Sequence, residues 1–449
     1  MKKINILQNP YLLFFPFLII YIIYIFNSPT EGNYGDEIGY LMYAENLLNG
    51  YCVTTFPDIS LVSGPGYPII LMPFVHFNLP LNSITFLNAI FYYFSIIFLY
   101  KAFILIVEKW IAVSLSLLWA LYYNSLFYIS VIFTEIFTLF LINFLIFALI
   151  KAFSPNNKKN AKHFLILSGI TIGYIVLTKI IFGYVLLFML LGSIILWFSN
   201  RKSSNYKKGL IILLISFSIN LPYLSHTYNL TGKFFYWGSS TGDNLYWMST
   251  PFEGEYGDWH SFETLSDLNN SIFLNHREDG EKISLLNGIP DNEILKNIAI
   301  NNIKSYPLKY IENFICNIGR LLFDYPYSNK QQVPSTLILI VQNGIISVFL
   351  LFSLIPTFLY WTKMIYPIRF LIFFSMLYLG GSALATAEAR MFMIIIPILL
   401  VWIAYVLQNT IKINLKFKEY SNPIDIKGNP NDKMIQSLCA STLVDRKIE

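Results

Sequence analysis

Long apolar runs separated by short polar joints set the pattern of this chain. Ten of them stand out: 11–26, 84–107, 111–129, 131–150, 164–177, 180–198, 210–224, 337–361, 368–386 and 391–407. They reach or approach the roughly 17 to 25 residues that carry a helix across a bilayer. Two longer polar stretches interrupt the series, 28–83 and 226–334. In the first, Ile38, Leu41, Met42, Leu47 and Leu48 recur at near-helical spacing, which predicts a helix lying at the membrane surface and ending at Gly50. The apolar patch from Gly64 to Phe74 is too short and too broken by proline to span, and reads as a second juxtamembrane element. The second stretch opens on Phe234-Phe235-Tyr236-Trp237 and Tyr246-Trp247-Met248, side chains suited to the headgroup level. An acidic portion follows with Glu253, Glu255, Asp258 and Glu263, and then a helical pattern from Glu293 to Phe323 that Pro307 interrupts. These features predict a small helical extracytoplasmic cap. Residues 419–449 are polar and read as disordered.

Composition agrees with the pattern. Of 449 residues 55% are hydrophobic and only 13% charged, about half the charge of a soluble domain. The expected fold is therefore an all-α polytopic membrane protein of about ten transmembrane helices, with juxtamembrane helices in the first outer loop. The net charge of +5 says less than where the charges fall, and nothing in it suggests nucleic-acid binding. Short loops rich in Lys and Arg stay in the cytoplasm. With the N-terminus inside, Lys109, the 151–163 loop with Lys158, Lys159 and Lys162, the 201–208 loop, the 363–369 loop and the tail lysines Lys412, Lys416 and Lys418 all fall on the inner side. Met1-Lys2-Lys3 and the run after it lack a small-residue cleavage site, so the first span reads as uncleaved. The expected organisation is a transmembrane module over 1–225 containing outer loop 28–83, an extracytoplasmic segment 226–334, C-terminal spans 335–410 and a cytoplasmic tail 411–449, in a multi-pass protein of the plasma membrane. Cys52, Cys316 and Cys439 are too few and scattered for a disulfide framework or metal site, and nothing in the spacing requires Cys52 and Cys316 to pair.

Against so few charges, the acids near span ends stand out. Asp36 and Glu37 open the first-loop helix. Their plain reading is a helix cap and a dipole partner; their functional reading is a base and the acid that positions it, since neighbouring helical residues point about 100° apart. Glu135 lies at the outer start of the fourth span, either a snorkelling acid or a functional group with a partner. Lys179 sits between the fifth and sixth spans and Arg390 follows Glu388 at the start of the last. Glu388 with Arg390 reads as a rim ion pair; alternatively Lys179 and Arg390 bind a phosphate. Glu253, Glu255 and Asp258 offer oxygen ligands to a divalent cation, but no Asp-x-Asp accompanies them and solvated loop acids are the plainer reading. No other cofactor is expected.

These residues resemble the polyprenyl-phosphate-sugar glycosyltransferases of the C-type (GT-C) fold, the group that includes protein O-mannosyltransferases and the aminoarabinose transferases of lipid A, a glycosyltransferase family 39-like pattern. The likeness rests on Gly35-Asp36-Glu37 with Tyr40 and Ala44-Glu45-Asn46-Leu47-Leu48-Asn49-Gly50, on Gly64-Pro65-Gly66-Tyr67-Pro68, on Thr134-Glu135, on Gly169, Gly173 and Leu177-Thr178-Lys179, and on Arg390 with Pro397. One departure is Ser63-Gly64, where many members carry Lys or Arg. The resemblance implies sugar transfer from a polyprenyl-phosphate donor to a glycan, lipid or protein acceptor at the outer face. In it Asp36 is the base of an inverting displacement, Glu37 and Glu135 orient acceptor and base, Lys179 and Arg390 bind the donor phosphate, and Tyr40 and Tyr67 line the acceptor or sugar pocket. Two other classes fit an outward acidic face. One is a transporter or flippase, against which no pair of similarly broken helices marks inverted repeats. The other is a polysaccharide polymerase or ligase.

Overall fold

The computed structural model describes residues 9–56, 59–155, 160–262, 271–284, 289–328 and 334–410. Lys158, Lys159, Glu263, Cys439 and the tail 411–449 lie outside the described residues. Every regular element among the described residues is helical. Apolar helix α1 (Pro10–Asn27) leads into α2 (Glu37–Leu48) and α3 (Gly66–His76) of the first loop, followed by α4 (Asn82–Phe103). Next come α5 (Lys109–Ala120), α6 (Tyr123–Ile129), α7 (Thr134–Phe153), α8 (Ala161–Thr178), α9 (Ile181–Ser199) and α10 (Ser204–Thr231). Four helices fill the second polar stretch, α11 (Thr241–Met248), α12 (Ser271–Ser284), α13 (Ile289–Ser305) and α14 (Pro307–Phe323). The chain ends in α15 (Pro334–Tyr360), α16 (Tyr366–Ala383) and α17 (Ala389–Thr410).

Eight of these helices are long and apolar enough to cross a membrane, and α5 with α6 makes a ninth if that pair, bent by 53°, is one span. The expected span over 368–386 corresponds to α16, which carries Pro367 and Arg369 and is not among these eight. The bend corrects the expectation of one straight helix over 111–129. Leu121 leaves the helix, and backbone groups freed there meet side chains: the Tyr123 amide donates to Gln342 Oε1 of α15 at 3.1 Å, and the Trp119 and Ala120 carbonyls accept from the Tyr92 and Tyr21 hydroxyls at 2.6 and 2.7 Å, while the Tyr122 hydroxyl donates to Asn343 Oδ1 at 2.8 Å. A broken helix survives inside a bilayer only when its backbone is satisfied in this way. The run expected over 210–224 also proves longer, because α10 continues through polar residues until Gly232 turns it off with a φ of +68°.

Helix α7 is the centre of the bundle. It is apolar all round and buried on most sides, as a helix with no solvent face must be. Around it pack α4, α8, α16 and α17, and its Asn143 donates to Ser95 of α4 at 2.8 Å. Helix α8 packs in turn on α10 through Gly169 and Gly173, where a Cβ would strike Ile215 and Ile219; Ser216 and Asn220 of α10 donate to the carbonyls of those two glycines. Small residues one turn apart let two helices approach this closely.

The two ends of the bundle differ. At one end, Lys208 donates to the Ala152 carbonyl, and the rings of Phe153, Tyr206 and Tyr366 gather. At the other stand α2, α3 and the starts of α7 and α17. On α2, Tyr40, Tyr43 and Ala44 face the protein, and Ile38, Met42 and Leu48 of the expected apolar stripe stay exposed.

The cap is a small unit with its own core of Tyr246, Trp247, Ile283 and Leu295. Pro307 separates α13 from α14 as the sequence predicts. The acids are not gathered around a common point: Glu253 is exposed, Glu255 pairs with His276 at 2.9 Å and accepts from Asn275 at 3.0 Å, and Asp258 pairs with His260 at 3.0 Å and accepts from the Ser328 amide. These bonds hold both carboxyls below their usual range against the opposing effect of burial. Among the described residues, no three His, Cys, Asp or Glu side chains come together as metal ligands do. Cys52 and Cys316 are free.

Asp243 is the exception among the cap acids. Burial pushes its carboxyl up to about 6, although Trp259 Nε1 donates to it at 2.6 Å. A carboxyl raised in the folded state costs stability as pH climbs from the unfolded value near 4 through the folded one, because the folded protein then gives up a proton that it holds more tightly. Asp243→Asn should therefore change melting temperature little at pH 4 and raise it progressively between pH 4 and 7, measured by thermal unfolding of the purified protein across that range.

Candidate active site

Four segments far apart in sequence meet at the end of the bundle that carries α2. The first is the turn into α2. Gly35 has a φ of +52°, and a Cβ there would lie 3.0 Å from the Phe133 ring, so both its conformation and its surroundings favour glycine. Asp36 follows at the N-cap position, but its side chain caps nothing, and the capping role that frequency alone favours is absent. Its Oδ2 instead meets Arg390 Nη1 at 2.8 Å.

Arg390 joins three carboxylates. Its Nε meets Glu388 at 2.8 Å and lies 3.8 Å from Glu135 Oε1, and its guanidinium sits 5.2 Å from the centre of the Phe133 ring. Glu135 in turn receives Lys179 Nζ at 2.9 Å and the Thr134 hydroxyl at 3.2 Å. The result is a ladder, Asp36 to Arg390 to Glu135 to Lys179, that runs from half-open to enclosed: the Asp36 side chain is 50% exposed and that of Glu135 0%. Three carboxylates face two cations, one negative charge in excess. Glu135 also stands in the first turn of α7, where the helix dipole favours an anion.

Local packing fixes Lys179. It follows the last turn of α8 in an extended conformation, and the first loop lies directly on that turn. A Cβ at Gly64 would be 2.1 Å from the Leu177 carbonyl oxygen and one at Gly66 2.7 Å from the Thr178 nitrogen. Tyr174 clamps the same contact by donating to the Gly66 carbonyl at 2.8 Å. Position 64 therefore has no room for a lysine or arginine side chain. Arg390 is fixed from the cap. Asn317 of α14 donates to the Ala383 carbonyl at 2.9 Å and accepts from the Ala387 amide at 2.8 Å, and so holds the turn that leads into Glu388 and Arg390.

Three expected residues stand elsewhere than anticipated. Glu37 is fully buried: one oxygen accepts from the Thr30 hydroxyl at 2.8 Å and the Ile132 amide at 2.7 Å, the other from the Tyr34 amide at 2.9 Å. It ties the first loop to the segment before α7, and its oxygens are taken by the protein. Tyr40 and Tyr67 are also enclosed, edge to face at 5.5 Å, behind Asp36 and beside Phe133 and Phe137. Burial holds both phenols above their usual range; they back the site instead of lining an open pocket. Phe133 and exposed Tyr34 are site neighbours that the sequence reading did not single out. Both are ordinary-looking aromatics in a chain that is 17% aromatic, and no local signal marks them.

The chain matches no family model and no curated protein. Among solved structures it is similar to the archaeal oligosaccharyltransferase AglB from Archaeoglobus fulgidus in complex with an inhibitory peptide and a dolichol-phosphate, with a TM-score of 0.45 and 13% identity over 88% of this chain and 50% of that one. The Archaeoglobus fulgidus oligosaccharyltransferase tethered to an acceptor peptide containing the NVT sequon gives 0.45 and 15% over 88% and 49%. ArnT from Cupriavidus metallidurans bound to undecaprenyl phosphate gives 0.39 and 12% over 88% and 77%. The chain thus spans about half the length of the two oligosaccharyltransferase chains.

The three donors on Glu37 make a sharp test. A glutamine there presents its NH2 group to one set of donors whichever way the amide turns, so at least one buried amide or hydroxyl loses its acceptor, at a cost of about 1–3 kcal/mol. Glu37→Gln should lower the melting temperature of the purified protein, whereas Glu45→Gln on the same helix should leave it unchanged.

Proposed function

We propose that this protein is a membrane glycosyltransferase that moves a sugar from a polyprenyl-phosphate donor to a hydroxyl of a glycan, lipid or protein acceptor, with inversion. The observation that carries the reading is the division of labour among the acids: Asp36 is half-open and oriented by a guanidinium, whereas Glu37 and Glu135 are enclosed. An acid that serves as a base must reach its substrate and hold one geometry. Its exposure and its bond to Arg390 support Asp36 in that role.

In this reading Asp36 accepts the proton of the acceptor hydroxyl as that oxygen attacks the anomeric carbon. The bond from that carbon to the phosphate oxygen breaks, and polyprenyl phosphate leaves with the electron pair. It needs no proton to leave, so the demand is for positive charge beside its oxygens. Lys179 and Arg390, 17% and 18% exposed, supply it, with Glu135 between them setting their spacing. Glu37 positions the base through the loop. Donor lipid reaches the site from the surrounding bilayer, and the charge pattern of the loops supports a site on the outer face of the plasma membrane, with 28–83 and 226–334 outside and 411–449 inside. A polysaccharide polymerase or ligase would share this chemistry and differ in its acceptor. A transport path would require the polar ladder to continue through the bundle. Below Glu135, however, the buried polar side chains of α7 are only Thr138 and Asn143, whose hydroxyl and Nδ2 donate to neighbouring groups.

The test is transfer by purified protein in nanodiscs supplied with a panel of polyprenyl-phosphate sugars. The wild type should release sugar to water or to an added acceptor. Asp36→Asn should lose about 100-fold or more while still binding donor lipid. Full activity in that variant removes Asp36 from the mechanism, and solute uptake in proteoliposomes without transfer from any donor replaces the whole reading.

A further inference from the structure

Helix α14 separates its two faces more sharply than any other helix of the cap. Leu308, Ile311, Ile315 and Ile318 fall at positions one, four, eight and eleven of a repeat that puts them in one stripe, and they are 80%, 52%, 64% and 37% exposed. The opposite face is anchored to its neighbours. Asn313 donates to the carbonyls of Met248 and Thr250, and Asn317 holds the turn between α16 and α17. Arg320, fully buried, donates to the carbonyls of Tyr256, Gly257 and Pro326. The helix cannot roll to hide its apolar side without breaking these bonds.

What covers the stripe follows from depth. Near its C-terminal end, the Leu322 carbonyl of α14 accepts from Asn343 of α15. Asn343 lies nine residues beyond Pro334, the start of α15, or about 14 Å down that helix at 1.5 Å per residue. In that interval α15 exposes Leu337, Ile338 and Val341, and just past it Ile345, within a segment apolar enough to span a membrane. The C-terminal end of α14 therefore meets α15 beside an exposed apolar stretch of a candidate membrane span. Exposed Tyr306 precedes the helix and exposed Tyr325 follows it, as aromatic side chains do at the headgroup boundary.

We infer that α14 lies along the membrane surface with Leu308, Ile311, Ile315 and Ile318 set among phospholipid acyl chains. The bilayer is then a structural partner of the turn that carries Glu388 and Arg390, joined to it through Asn317. The inference stands on packing and depth and is independent of the transferase reading.

Full-length protein in nanodiscs, with Cys52, Cys316 and Cys439 replaced by serine, provides the test. An environment-sensitive fluorophore is attached at Ile315→Cys, at Leu308→Cys or, as a control in the water-facing part of the cap, at Glu278→Cys on α12, where the side chain is 86% exposed. Phospholipids brominated on the acyl chain near the headgroup serve as quenchers. Quenching at positions 308 and 315 should exceed that at 278 several-fold. Equal quenching at all three positions, or none at 308 and 315, overturns the inference. So does energy transfer between copies labelled at 315 that persists on dilution in excess lipid, because the stripe would then be covered by a second copy of the chain. Two stripe positions, each exposed and each tested singly, keep the result readable if one substitution harms folding.

Discussion

A carboxylate with no access to water cannot remain charged without partners, and that constraint on Glu135 organises the end of the bundle. Removing one partner of such a group typically costs about 3–5 kcal/mol, so Glu135 depends on Lys179 at 2.9 Å, with Arg390 Nε further off at 3.8 Å. Arg390 Nε, paired with Glu388 at 2.8 Å, also lies 3.8 Å from Glu135, and with Nε held there Nη1 meets Asp36 at 2.8 Å. The open acid is thus positioned by a buried one, through a guanidinium whose planar, multiply donating head suits several carboxylates at once.

The rest of the architecture serves to keep these groups in register. The first loop is seated on the end of α8 by glycines that leave no room for a side chain, and Leu61 and Ser239 stitch it to the segment after α10 through two hydrogen bonds of 3.0 Å. The cap grips the start of α17 through Asn317. Each cation of the ladder is therefore fixed through contacts made by the residues just before it in the chain, in backbone that cannot shift without breaking a close fit.

Much of the fold was legible because hydropathy in a membrane protein is a strong and local signal. The helices appear near the places the apolar runs predict, and Pro307 divides the outer pattern where it should. The failures share a cause. Leu121 and Tyr122 look like the middle of a span, and the groups that make a break tolerable there, Gln342 and Asn343, lie more than two hundred residues on. Asp36 has the sequence context of a cap, and its actual partner is 354 residues away. The residue types that carry charge were readable from their scarcity, but who pairs with whom was not. Enclosure was equally hidden: Asp36 and Glu37 are neighbours of similar chemistry, and only the fold decides that one is open and the other is taken up by three donors.

The ladder draws Asp36, Glu135 and Lys179 from the first half of the chain and Glu388 and Arg390 from near the last helix. During synthesis the early helices enter the membrane long before residue 390 leaves the ribosome. Until then the carboxyl at the head of α2 lacks its guanidinium and Glu135 has only its lysine. The assembly of the final helix against α7 is thus also the moment at which the constellation becomes complete, and a nascent or truncated chain lacks it however well its earlier helices have inserted.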